Sequence, residues 1–168
     1  MRTLLQLFTF ASLLFVQLGC SPDTMTPPIP ELSQEQKKDN PEESKDDTMP
    51  GEIKITVSGK TLPVKIEDNK ATKALVAALR EASITYEAYD YGGFEKVGPL
   101  GRTLPASDTQ ITTQAGDVIL YNANQIVLFY GSNSWSYTRI GKILYATLDE
   151  LKSFLKAGEG NISVSLSL

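Results

Sequence analysis

A hydrophobic period of two residues recurs along the second part of the chain, and it limits the fold more than any other feature. Ile53, Ile55 and Val57 alternate with Lys54 and Thr56, and Leu62, Val64 and Ile66 alternate again beyond the turn Ser58-Gly59-Lys60. Successive side chains of a strand point to opposite faces, so this pattern builds a hairpin with one face to bury. Ile84, Tyr86 and Ala88 form one side of a further strand over 84–91, with Thr85, Glu87 and Tyr89 on the other. Val118–Tyr121 and Ile126–Tyr130 read as two strands joined by Asn122-Ala123-Asn124-Gln125. The second is apolar throughout, which predicts cover on both faces. The turn Gly131-Ser132-Asn133-Ser134 leads to a strand within Trp135–Tyr145, and Ile162, Val164, Leu166 and Leu168 alternate as the last.

Only two segments carry a helical period. Ala71, Leu75, Ala78, Leu79 and Ala82 share one face behind a cap at Asp68 or Asn69. Thr147-Leu148-Asp149-Glu150 spells a capping box for a second helix that buries Leu148, Leu151, Phe154 and Leu155 and ends at Gly158. Gly92 to Pro105 is crowded with glycine and proline and is read as irregular. Seven or eight strands, two helices and no βαβ alternation predict a mainly β fold. The best fit is a mostly antiparallel barrel with two helices packed outside it or at its ends, over residues 52–168.

The N-terminal third is built differently. Arg2 precedes an apolar run from Leu4 to Leu18, followed by Gly19 and Cys20, the sole cysteine. Charged start, short apolar core and small residue make a secretory signal, too short for a membrane span. Leu18-Gly19-Cys20 resembles the lipobox of bacterial lipoproteins, with Gln17 where an aliphatic residue is usual. The resemblance implies cleavage after residue 19 and lipid attachment at Cys20, anchoring the chain in the cell envelope. Ser21, in place of an aspartate, favours the outer membrane in a Gram-negative host. Residues 21–51 are rich in Pro, Ser, Asp, Glu and Lys, have no aromatic residue, and hold eight acids against three lysines. They are read, with Cys20, as an acidic disordered tether over 20–51. Residues 52–168 hold twelve acids and twelve bases. This neutral domain has no basic stripe, which argues against nucleic acid as a partner.

Three segments carry a second resemblance. Ala115-Gly116-Asp117-Val118-Ile119-Leu120-Tyr121, Asn124 to Tyr130, and Ser134-Trp135-Ser136-Tyr137-Thr138-Arg139-Ile140-Gly141-Lys142-Ile143, with the opening strand from Lys54, resemble the small cyclophilin-like proteins of bacteria and archaea. The resemblance implies a closed antiparallel barrel of about eight strands with flanking helices, as in cyclophilins. It carries over no catalytic residue, because the cyclophilin motifs around the groove arginine, and the groove histidine, cannot be found in this chain.

Composition removes several chemistries. With no histidine in the chain, Ser-His-Asp and Cys-His catalysis are excluded. No residue pattern marks a metal, phosphate or flavin site, so no cofactor is expected. Tyr89, Tyr91, Phe94, Tyr130, Trp135 and Tyr137 gather near two loops, beside the uncharged hydrogen-bonding groups Asn124, Gln125, Ser132, Asn133 and Ser134. They form either a ligand cleft or the packing of a barrel mouth. Arg102 is read either as the polarising group of a groove or as a surface arginine in a loop, and Arg139 is the other candidate for the polarising group. The expected cleft comprises Tyr89, Tyr91, Phe94, Arg102, Asn124, Gln125, Ser132, Asn133, Ser134, Trp135, Tyr137 and Arg139. Three functions follow: a non-catalytic module for a peptide or small ligand, a divergent peptidyl-prolyl isomerase, or a structural partner of another envelope protein. The first is preferred, leaning away from an enzyme.

Overall fold

The computed structural model describes residues 48–168; the signal, Cys20 and nearly all of the tether lie outside the described residues. Nine strands and two helices follow in order: β1 (Glu52–Val57), β2 (Lys60–Ile66), α1 (Lys70–Glu81), β3 (Ile84–Tyr91), β4 (Glu95–Pro99), β5 (Thr109–Thr112), β6 (Asp117–Tyr121), β7 (Gln125–Phe129), β8 (Ser134–Ile143), α2 (Leu148–Phe154) and β9 (Ile162–Ser167). Eight strands run β2-β1-β9-β3-β4-β7-β6-β8, and β8 returns to pair with β2. Every pairing is antiparallel, so this is the closed antiparallel barrel expected, with β5 added outside it along β8.

Local chemistry explains the main joints. The β1–β2 hairpin turns on Ser58 and Gly59, both at positive φ, as a two-residue hairpin connection demands. Gly141 sits at the closing seam, where a Cβ would collide with the Lys65 carbonyl of β2. Asn69 caps α1 by accepting from the Thr72 amide at 3.0 Å, and its own amide donates to the Arg139 carbonyl at 2.7 Å, tying the helix start to β8. Thr147 accepts from the Glu150 amide at 3.1 Å, while the Glu150 carboxylate reaches back to the Ala146 amide.

The wall has apolar contacts on both sides. Val118, Leu120, Ile126 and Leu128 join the main core with Ile53, Ile55, Val64, Leu75, Leu151 and Val164. The alternate residues Ile119, Val127 and Phe129 face outward and form a second cluster with Tyr137, against which Phe94, Val97, Ile111 and Tyr121 pack. That outer cluster is the foundation of the candidate site.

Several expectations are corrected. The segment 92–105 is not irregular throughout, because β4 lies within it and bridges β3 and β7. Gly98 permits that strand: a Cβ there would run into the Glu87 carbonyl and the Tyr86 ring. The short polar strand β5 also lay outside the predicted set. Leu148 is 44 % exposed, not buried. Helical side chains lean toward the N-terminus, so at the first position this one leans beyond the end of α2. That helix ends at Phe154 and the chain turns at Lys156, φ 47°, ahead of Gly158. Among the described residues no helix is long and apolar enough to cross a membrane.

Candidate functional site

The outer face of β3, β4, β7 and β6 bears a cavity of about 390 Å³. Strand register places its floor and sides. Tyr91, Glu95 and Phe129 stand opposite one another across β3, β4 and β7. Val97 and Val127 make the next row, and Tyr121 and Gln125 the row beyond. Trp135 and Tyr137, from the first half of β8, complete the lining together with Asn133. β5 holds that half in place, pairing Ile111 with Trp135 and Thr109 with Tyr137.

The aromatic groups form a connected set. Phe94 stacks on Phe129 at 6.2 Å, Tyr91 meets Phe94 edge-on at 6.5 Å, and Tyr137 meets both Phe129 and Tyr121 edge-on at 5.9 Å. Tyr91 and Trp135 nevertheless remain 64 % and 56 % exposed. The preceding turn is fastened: Asn133 and Thr113 exchange backbone and side-chain bonds of 2.8–3.0 Å, Ser132 donates to the Thr113 carbonyl, and the Asn133 amide donates to the Tyr137 hydroxyl at 3.0 Å. A fixed wall with exposed rings is pre-organised for contact, because little side-chain or loop entropy remains to be lost.

Among the described residues Glu95 is the one ionisable carboxyl of the lining. It is 6 % exposed, and its Oε2 is buried without a hydrogen-bond partner among the described residues. Burial pushes its pKa up to about 7. The phenol of Tyr137 is also raised, first by burial, against the opposing Asn133 bond and with help from the nearby Glu95, Tyr121 and Tyr91. The neighbouring cation does not serve this face. Lys96 alternates to the other side of β4, where it is wholly buried against Asp90 at 2.7 Å.

Of the residues singled out in the sequence, Tyr91, Gln125, Asn133, Trp135 and Tyr137 meet around the cavity. Phe94 lies beside it, half-buried on Phe129. Ser132 and Ser134 fasten the turn and the edge, Ser134 through Thr112 at 2.8 Å. Tyr89 is 47 % exposed outside the lining, and Asn124 is exposed in the β6–β7 turn. Arg102 is exposed in the loop after β4. Arg139 pairs with the buried Asp117 at 2.5 Å and with Glu67 at 3.5 Å, lining a separate polar cavity with Lys65 and Lys142. Glu95, Val97, Tyr121 and Val127 were missed. The unbroken apolar run of β7 signalled that its outer face was covered; nothing in the sequence marked Glu95. Among the described residues no group of three acidic, histidine or cysteine side chains is placed to hold a metal ion.

A model of the cyclophilin-like family matches residues 55–167. No curated protein gives a match. Among solved structures, that of McbB in complex with tryptophan is similar with a TM-score of 0.50 and 12 % identity, over 68 % of this chain and 44 % of that one. This chain therefore spans less than half the length of McbB. The solution structure of a hypothetical protein from Archaeoglobus fulgidus gives a TM-score of 0.48 and 18 % identity, over 69 % of this chain and 92 % of that one. At 12 % identity the likeness to McbB is one of fold alone, and function has to be argued from the site.

Proposed function

This chain belongs to the cyclophilin-like family, and we propose that it is a lipid-anchored protein of a bacterial cell envelope whose barrel holds a peptide or small ligand without chemically changing it. One observation carries the binding reading. An aromatic cavity of small-molecule size opens on the outer barrel wall, with two large rings left exposed and its turn fastened by hydrogen bonds. Exposed aromatic rings on a rigid wall offer contact area at low entropic cost. The isomerase alternative needs a guanidinium directed into an apolar pocket, and among the described residues none that lines this cavity is an arginine.

Anchoring rests on Cys20 and the signal that precedes it. Two or three acyl chains bury enough methylenes to hold a protein on a membrane essentially permanently. The acidic tether would then keep the barrel clear of anionic headgroups.

The functional test pairs two assays on the full-length protein. Fluorescence of Trp135, the only tryptophan, is followed while aromatic, cationic and X-Pro peptide ligands are added. Prolyl isomerisation of the same peptides is measured in parallel, with Arg102→Ala and Arg139→Ala as controls. Saturable fluorescence changes without catalysis are expected. Acceleration lost in one arginine variant would replace this reading with an envelope isomerase.

A further inference from the structure

A carboxyl buried without a partner at the base of an aromatic cavity calls for a complement of opposite charge. Burying an ionised group is unfavourable unless it is paired, and Glu95 is 6 % exposed with its Oε2 unbonded among the described residues. Among the described residues no lysine or arginine lines the cavity to supply that pair. The other side chains there include three tyrosines and a tryptophan, whose π faces carry negative potential and attract cations, above all when water is excluded. We infer that the cavity takes a small organic cation, its ammonium group seated between the Glu95 carboxylate and the rings of Tyr91, Tyr121, Trp135 and Tyr137.

This inference deepens the binding reading and rests on it. Volume agrees: about 390 Å³ suits a small molecule. Gln125, in the same lining, is neutral and offers hydrogen bonds to the rest of the ligand, whereas Asn133 is engaged by the Tyr137 hydroxyl and the Ser134 amide.

The carboxylate also sets a pH signature. Glu95 titrates near 7, and the ionisable groups facing it are the phenols of Tyr91 on β3, Tyr121 on β6 and Tyr137 on β8. The Tyr137 phenol, raised by burial, stays neutral through this range. On the inner side Asp90 holds both Lys96 and the Tyr130 hydroxyl, and Tyr130 also feels the charge of Glu95. A permanently charged ligand binds the ionised form, so its affinity rises about tenfold from pH 6 to pH 8 and then levels off.

The test compares choline with its neutral isostere 3,3-dimethyl-1-butanol on full-length protein in maltoside detergent, read by Trp135 fluorescence. At pH 8 choline is expected to bind at least about tenfold more tightly than the alcohol. Glu95→Gln, which keeps shape and removes charge, is expected to bring the two within about threefold and to flatten the pH dependence. Tyr91→Leu, at an exposed position, is expected to weaken choline severalfold while leaving the pH dependence in place. Equal or tighter binding of the alcohol to the native protein would overturn the ammonium inference and leave the cavity a binding site. So would an unchanged choline preference in Glu95→Gln. Failure of both compounds to perturb Trp135 at saturating concentration would overturn the inference and remove support for the site itself.

Discussion

Lys96 and Asp90 form a buried pair whose two ends differ in what they leave behind, so their removal is predicted to be unequal. Lys96 is wholly buried; its Nζ meets Asp90 Oδ2 at 2.7 Å and the Gly160 carbonyl at 2.5 Å. Asp90 is 21 % exposed and also accepts from the Gly158 and Gly160 amides at 3.2 and 2.9 Å and from the Tyr130 hydroxyl at 3.0 Å. Asp90→Ala strands a buried ammonium, a loss of about 3–5 kcal/mol. Lys96→Met fills the same space without charge and leaves Asp90 three donors and some solvent, so its loss is about 1–2 kcal/mol. In urea, with a slope of roughly 2 kcal/mol per molar, the midpoints fall by about 2 M and by under 1 M respectively. Adding Lys96→Met to Asp90→Ala is predicted to recover most of the larger loss, since the stranded charge is gone. Burial alone would raise the Asp90 pKa, but Lys96, the two glycine amides and Tyr130 outweigh it and hold it below the ordinary range. A depressed carboxyl stabilises the fold above its unfolded pKa and loses that contribution as pH falls through the folded value. The gap between native and Asp90→Ala therefore narrows below about pH 4. Equal losses for the two single variants, or an Asp90→Ala loss within about 1 kcal/mol of zero, would refute the reasoning.

Three further predictions follow from other parts of the molecule. Glu95 has its folded pKa raised from 4.5 to about 7, so its contribution to stability is intact below about pH 4.5 and is lost as pH rises through 7. Glu95→Gln is accordingly more stable than native protein at pH 8, by up to about 3 kcal/mol, with the difference vanishing near pH 4 in thermal melts. Gly98→Ala forces a methyl against the Glu87 carbonyl and the Tyr86 ring, and a melt is expected to show a loss of about 2 kcal/mol or more. Cys20→Ser, in a bacterium fed labelled palmitate, is expected to lose the label and leave the membrane fraction; retention of both would remove the lipid anchor from the account.

The sequence and the structure agree best where one physical rule acts alone. Alternation over Glu52–Val57, Lys60–Ile66 and Ile162–Ser167 reports burial directly, and the caps at Asn69 and Thr147 are local bonds that local sequence can spell. β4 was hidden because Glu95 and Lys96, charged types that break the apolar alternation, are buried for different tertiary reasons: one in a cavity wall, the other by a partner on β3. Gly98 and Pro99, ordinarily breakers, lie in a strand that needs the missing Cβ. β5 was hidden because Thr109–Thr112 is short, polar and external to the barrel. The aromatic half of the site was legible, since Tyr91, Trp135 and Tyr137 stood out by type. Its acid was not, because only the folded register brings Glu95 beneath those rings.

The central claim is that the aromatic cavity over β4 and β7 is where this protein meets its ligand. Amide and indole chemical shifts, recorded while choline is titrated into the full-length protein at pH 8, test it most directly. The account predicts saturable shifts at the Trp135 indole N–H and at the Tyr91 and Glu95 amides, with Arg139 and Lys142 unmoved. Shifts centred on Arg139 and Lys142, or none at Trp135 with either choline or its neutral isostere, would contradict it.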